Sequence, residues 1–426
     1  MAMGRGGMRR PPIVLDMTRW SMRRLLGRRP TGIDRVCDAY ARHFSAEENS
    51  IIQFGGRPLL LSGPALATLL DADAASTGAF RRAFASMLPQ AALASRAAIP
   101  PPGAIYLNTG HSSFDRQAHW RSPALCQTRR VYMIHDLIPV THPHLTTARK
   151  KARHEQRVAT ALLRADGLVT NSSGSMDELQ RFASACGLTV PPLLRAHLGA
   201  SAVAGSGTTV SSERPFFLSV GTFEARKNHG LLLRVWSRLF AVLGEETPRL
   251  VIAGSAGAEL PRLREYLDAN ARLKPFVQLR CGLTDEEIAN LLSAARGCLF
   301  PTLAEGFGLP LVEALQIGTP VIASSLPSLH EIGQSVPEYI DPADEDAWTA
   351  AIIDFCAQGS AYRRQVAALA GFRPATWSTH FALLEEWLAV LPVQRNATHA
   401  TPQAQGISED LPPRLQAART AHAAAR

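Results

Sequence analysis

The stretch Cys298–Ser325, CLFPTLAEGFGLPLVEALQIGTPVIASS, admits few architectures. Cys298–Phe300 is a short apolar run of the kind that makes a buried strand. Thr302–Gly308 is a loop with two glycines around Phe307. Leu309–Ile317 is apolar enough for a packed helix, and Pro310 suits its first turn, where no backbone hydrogen bond is lost. Gly318 sits where a helix stops, and Val321–Ala323 starts another strand. A loop of this kind at the carboxyl end of a parallel strand can approach a ligand closely. The helix behind it aims free N–H groups and a partial positive charge at an anion. Glu305 in the loop and Glu313 about one turn into the helix border this point. Carboxylates in apolar surroundings cost stability unless paired or used, so the stretch reads as a site.

The rest of the chain alternates in the same way. Strands are expected at Ile13–Thr18, Ile51–Phe54, Pro58–Leu61, Ala104–Asn108, Arg130–His135 and Gly167–Asn171. Helices are expected from Thr31 to Phe44, Thr147 to Arg164 and Met176 to Cys186, and Arg19–Pro30 reads as a basic loop. Ser62–Pro102 reads as helices plus a linker, with Asp71 and Asp73 on a solvated face. His135 and Asp136 end a strand, and the carboxyl ends of strands are where α/β sites are built. Val190–Ser212 changes to small residues and reads as an interdomain linker. Beyond it, strands Phe216–Gly221, Arg249–Gly254 and Val277–Cys281 lead into loops that should share one sheet edge with Thr302–Gly308. The loop Gly221–Asn228 sets Arg226 and Lys227 side by side before a helix, an arrangement suited to a diphosphate. Alternating strands and helices mean doubly wound parallel sheets.

A chain of 426 residues is too long for one ordinary core. The expected division is a disordered basic leader over 1–12, a first α/β domain over 13–205, a second over 213–372, a further helix over 373–392, and a disordered tail over 393–426. No run of about 18 apolar residues occurs, which excludes a spanning helix. The six cysteines have no metal-ligand spacing, and several lie in apolar runs, which suggests buried free thiols in a reducing, cytoplasmic compartment. The net charge of +9 is concentrated in the first thirty residues and in Arg149, Lys150, Lys151 and Arg153. Such clusters serve solubility or an anionic membrane surface, which would place the protein peripherally on the inner face of the plasma membrane. No aromatic stacking array or nucleic-acid motif accompanies them, so nucleic acid is not an expected partner.

Glu305, Gly306, Phe307, Gly308, Pro310, Glu313 and Ala314 match the signature of two glutamates separated by seven residues. With it, the chain resembles the family 4 retaining glycosyltransferases of the GT-B fold. The resemblance is strong from about 215 to 370. It implies two Rossmann-like domains facing a cleft, an acceptor domain over 13–205 and a nucleotide-sugar donor domain over 213–372, with the C-terminal helix over 373–392 crossing back onto the first. It further implies that Lys227 and Arg226 bind the donor diphosphate and that Glu313 binds the ribose. Glu305 would hold sugar hydroxyls near the anomeric carbon. Amides of Phe307, Gly308 and Leu309 would meet sugar and phosphate, with Gly306 in the same loop. Gly282 and Leu283 would lie by the base. In the first half, Thr31-Gly32-Ile33 with Arg35 resembles the family's glycine loop, so Gly32 would cap the diphosphate, although Thr31 replaces a glycine. His135 matches the histidine at the donor–acceptor junction. Thr222 stands where many members carry a phosphate-gripping arginine. The catalytic set is thus His135, Glu305 and Lys227.

The activity implied is a metal-independent retaining hexosyl transfer from a nucleotide sugar, with no cofactor. The leaving diphosphate would take the acceptor's proton in a front-face displacement. The acceptor would be a saccharide or a polyprenyl-linked glycan in surface-polysaccharide synthesis. GDP-mannose is the expected donor, through likeness to bacterial mannosyltransferases in the TGIDRV and IHDLIP segments, and UDP-glucose is its competitor. A nucleotide-sugar epimerase of the same fold and a membrane-surface scaffold with a dead transferase domain are the other readings.

Overall fold

The computed structural model describes residues 10–45, 48–54, 57–97, 100–112, 125, 127–200 and 214–392. Most of the basic leader, Cys126, linker residues 201–213 and the tail from 393 lie outside them. The chain divides into two compact units. One comprises residues up to Pro143, Thr147–His197 and the stretch from Trp377; the other comprises His144–Thr146 and Leu198–Thr376.

The first unit holds a seven-stranded sheet in the order β3-β2-β1-β4-β5-β6-β7. The strands are β1 (Ile13–Asp16), β2 (Asn49–Phe54), β3 (Arg57–Leu61), β4 (Ile105–Asn108), β5 (Arg129–Ile134), β6 (Gly167–Thr170) and β7 (Leu193–Arg195). All pairings are parallel except β2 with β3, a hairpin at one edge. β1 and β4 are fully buried, as expected for strands covered on both faces. The helices are α1 (Thr18–Leu25), α2 (Gly32–Phe44), α3 (Gly63–Ala75), α4 (Thr77–Ala97), the short α5 (Ile138–Thr141), α6 (Ala148–Arg164) and α7 (Ser173–Cys186).

Three expectations are corrected here. The supposed basic loop contains α1, because Trp20 and Ser21 are buried while the Arg24 guanidinium lies 4.1 Å over the Trp20 ring. A long arginine stem can cover an aromatic ring while its charge stays polar-paired. Asp73 is not a solvated charge, since Arg24 Nε donates to it at 2.7 Å. The supposed linker begins with β7, whose Leu193–Arg195 pairs with Leu168–Thr170.

The second unit is a six-stranded, all-parallel sheet in the order β10-β9-β8-β11-β12-β13. Its strands are β8 (Phe216–Val220), β9 (Arg249–Gly254), β10 (Val277–Cys281), β11 (Gly297–Phe300), β12 (Val321–Ser324) and β13 (Glu338–Ile340). Its helices are α8 (His229–Leu243), α9 (Leu260–Ala269), α10 (Asp285–Ala294), α11 (Leu309–Ile317), α12 (Pro327–Gly333), α13 (Glu345–Cys356) and α14 (Ser360–Leu369). Thr284 and Glu287 close a reciprocal capping box at α10, at 3.1 and 2.7 Å. In its own strand numbering the first sheet runs 3-2-1-4-5-6-7 and the second 3-2-1-4-5-6, so in each the order reverses between the first and fourth strands. Ligands of open α/β sheets bind at that switch point.

The last helix, α15 (Trp377–Val390), belongs to the first unit. His380 Nδ1 lies 2.9 Å from the His197 carbonyl, which can only accept. Nδ1 is therefore protonated, and Nε2 accepts from the Tyr40 hydroxyl at 2.7 Å. Gly167 lets Trp387 come close, for a Cβ there would sit 2.5 Å from Trp387 Cη2. Among the described residues no helix is long and apolar enough to cross a membrane. Among the described residues, Cys37 and Cys298 are buried free thiols, Cys186 and Cys356 are half-buried, and Cys281 is exposed. Gly167→Ala should cost about 1–3 kcal/mol by overpacking against Trp387, read as a lowered urea midpoint, while the shorter Trp387→Leu in the same chain should restore part of it.

Candidate functional site

In the second unit, β8 and β11 are neighbours, and their loops meet at the switch point. The loop after β8 turns through the single 3-10 turn Ala225–Lys227 and Asn228, whose φ of +53° is left-handed, before α8 begins. Gly221 makes room for this turn, since a Cβ there would lie 3.2 Å from the Lys227 side chain. Lys227 is buried and its ammonium lies 4.6 Å from the centre of the Phe300 ring. It donates to Glu305 Oε2 at 2.5 Å, and Arg226 Nη1 donates to the same oxygen at 3.0 Å. Glu224 holds the other side of Arg226, at 3.2 Å from Nε.

The loop after β11 is fixed by its backbone. Leu303 N and the Thr302 hydroxyl both donate to the Arg226 carbonyl, at 2.7 and 2.9 Å. Ser328, just inside α12, donates to the Glu305 carbonyl at 2.7 Å. Gly308 is the residue before α11, with a φ of +101°, and a Cβ there would meet Leu329 at 2.9 Å. Glycine is required on both counts. Burial would raise the Glu305 carboxyl, but Lys227 and then Arg226 overcome it and hold it below the usual range. Lys227 is pushed down by burial against the opposing pull of Glu305.

Sequence reasoning singled out Arg226, Lys227 and Glu305, and the structure brings these three together. Gly306, Phe307 and Gly308 are buried in the same loop, and Leu309 opens α11. Glu313 is buried on α11, close enough to Cys298 to help push its thiol up, after burial itself, to about 12. Gly282 and Leu283 follow β10 at the sheet edge, two strands along from β8, with Gly282 at a φ of +83°. His229, the first residue of α8, was not singled out. It is buried and neutral, lowered to about 3 by burial and then by Lys227 and Arg226.

In the first unit, His135 stands just past β5 and is buried. Its Nε2 faces the Thr109 carbonyl at 2.7 Å, so Nε2 carries the proton and Nδ1 is left as an acceptor. Burial lowers its pKa against the pull of the Thr109 carbonyl and Asp136. Gly32 is the exposed first residue of α2. Three residues there escaped sequence reasoning. Asp16, at the end of β1, accepts from Tyr106 at 2.6 Å and is raised by burial to about 6. His111 has a φ of +56°, packs its ring 5.2 Å from that of His135, and donates to the Met133 carbonyl at 2.8 Å. Only its place after a buried strand could have flagged it. Arg19 was lost in the arginine-rich run.

Residues 214–358 match the family model described as Glycosyl transferases group 1. The chain is similar to Serotype-specific mannosyltransferase WbdA of Escherichia coli, 26% identical over 232 residues, which is 50% of this chain and 28% of that protein. It is also similar to O-antigen chain mannosyltransferase B of Escherichia coli, 33% identical over 138 residues, 32% of this chain and 36% of that protein. The chain thus covers well under two thirds of the length of either relative. Among solved structures, Anabaena Alr3699/HepE in complex with UDP superposes with a TM-score of 0.61 at 15% identity, over 89% of this chain and 100% of that one. That likeness shows a shared fold.

Four buried histidines, His111, His135, His229 and His380, and the half-buried His154 have lowered pKa values, that of His380 at about 4, each with desolvation as its first cause. The unfolded chain binds these protons near pH 6.5 and the folded chain does not. Their stabilisation is therefore complete above that pH and is lost as pH falls. The unfolding free energy should drop between pH 7 and pH 5, and His380→Gln should remove about 1.4 kcal/mol per pH unit from that slope.

Proposed function

We propose, from a chain of GT-B fold whose residues 214–358 match the Glycosyl transferases group 1 model, that this protein transfers a hexose from a nucleotide sugar to a growing saccharide or lipid-linked acceptor. The observation that carries the reading is the meeting of Arg226, Lys227 and Glu305 at a switch point, beside the N-termini of α8 and α11. Before donor arrives, Glu305 holds both cations. A diphosphate competes for them, and the freed carboxylate turns to sugar hydroxyls. Cations held in low-dielectric surroundings stabilise the charge that builds on the leaving diphosphate. The transfer needs no metal in this scheme, and it retains configuration, because the acceptor hydroxyl enters on the face the diphosphate leaves.

His135 contributes an acceptor nitrogen of fixed tautomer at the edge of the first sheet, suited to a sugar hydroxyl. Glu313 would take the ribose hydroxyls, and Gly282 and Leu283 the base. Mannose from GDP-mannose is the favoured donor, in keeping with the mannosyltransferase names of the two relatives. A UDP sugar is the second reading, favoured by the UDP in the HepE complex. The basic helix α6, with exposed Arg149, Lys150 and Arg153, would face an anionic membrane on the inner side of the cell.

Thermal stabilisation against GDP, UDP, GDP-mannose and UDP-glucose, followed by product analysis with and without acceptor, tests the proposal. GDP-mannose should stabilise the protein, with the effect lost in Glu313→Ala. Lys227→Ala should lower kcat/KM by about 10²-fold or more. Sugar rearranged without acceptor would replace transferase by epimerase. Liposome binding with no turnover of any donor would sink the enzymatic reading.

A further inference from the structure

At the switch point of the first sheet, a second charged constellation stands outside the machinery above. Arg19 lies in the first turn of α1, directly after β1, and Arg23 lies one turn further on the same face. Both reach back to Asp34 of α2: Arg19 Nε lies 2.8 Å from one carboxylate oxygen and Arg23 Nε 2.7 Å from the other. Asp34 is fully buried, and Thr31 already supplies its backbone N–H and its hydroxyl, each at 2.7 Å. The guanidiniums are held elsewhere too. Arg19 Nη2 donates to the Thr31 hydroxyl at 3.2 Å, and Arg23 Nη2 donates to the Arg29 carbonyl at 2.5 Å.

The arrangement is over-supplied with positive charge. One carboxylate that accepts two bonds from Thr31 needs at most one guanidinium, and it has two. The surplus sits at the N-terminus of α2, where the helix dipole disfavours a cation. Burial and the neighbouring Arg19, Arg28 and Arg24 oppose the charge on Arg23, against the support of Asp34. Yet both side chains keep an opening to solvent, 29% for Arg19 and 23% for Arg23, while the carboxylate between them has none. The backbone is shaped around them as well. Gly110, in the loop after β4, passes so close that a Cβ would lie 2.9 Å from Arg19 Cβ. β1 and β4 are the strands between which the order reverses, so this fork stands where α/β sheets take ligands.

We propose that Arg19 and Arg23, locked in place by the buried carboxylate of Asp34, form an anion subsite for a phosphate ester. Planar guanidiniums fixed in two directions are suited to a tetrahedral oxyanion, which would offset the surplus charge. The phosphate belongs either to the diphosphate of the donor or to the lipid phosphate of the acceptor. This choice of source rests on the transferase reading; the subsite itself does not.

Calorimetry on the full-length chain carrying Lys227→Ala, which weakens the phosphate grip of the second unit, tests it with pyrophosphate as the probe. Pyrophosphate should bind, and Arg19→Gln or Arg23→Gln should each weaken it by about tenfold. Should the glutamine variants fail to fold, Arg19→Lys and Arg23→Lys keep the charge and lose the fork, and several-fold weaker binding is expected of them. The same arginine dependence with GDP or UDP assigns the subsite to the donor. Dependence confined to a short-chain polyprenyl phosphate assigns it to the acceptor. Pyrophosphate affinity unmoved by all four substitutions, with only the unfolding midpoint lowered, would make the fork a purely structural clamp and overturn the proposal. A chain that binds pyrophosphate through these arginines but turns over no nucleotide sugar would keep the subsite and lose the transferase reading.

Discussion

Two cations meeting on one oxygen of Glu305 set the geometry of the second unit's sheet edge. Placing Lys227 and Glu305 nearly out of water is costly, and the cost is offset only while each has the other. Everything around the pair serves that requirement. Gly221 clears the space for the lysine stem, Phe300 offers its ring to the ammonium, and Thr302 and Ser328 tie the backbones of the two loops. In the proposed transfer, a donor diphosphate would take the place of Glu305 on both cations.

The second unit was the more legible half. Its strands alternate with helices of ordinary length, and glycines such as Gly254, Gly308 and Gly318 fall where close approach or a positive φ demands them. Reading EGFG before a proline and a helical run was enough to locate Glu305, and a lysine before a helix was enough to locate Lys227. What the pattern could not supply was their partnership, since 78 residues separate them and only the order of β8 and β11 brings them together.

The first unit hid more, for identifiable reasons. α1 reads as a loop because arginines dominate it, and its packing rests on one tryptophan and on stems that no periodicity scale counts as apolar. β7 is three residues long, its side chains half-buried or exposed, and it merges into small residues on its far side. His111 and Asp16 matter through a left-handed backbone and complete burial, neither of which leaves a local signature. Asp34 looks in the sequence like an ordinary acid in a first helical turn, and its two arginine partners become visible only once α1 is known to be a helix.

The place of α15 bears on how the chain acquires its structure. The first unit is interrupted in sequence: its sheet is encoded before residue 200, but the helix that covers Tyr40 and Gly167 is encoded after residue 376. On a ribosome, the sheet emerges early and must wait, with an aromatic face uncovered, while the whole second unit is made. Domains usually complete themselves in the order of synthesis. Here the earlier-encoded unit is sealed only once α15, the last helix among the described residues, has been made. A chain stopped at residue 376 would therefore fail in the half that seems farthest from the cut.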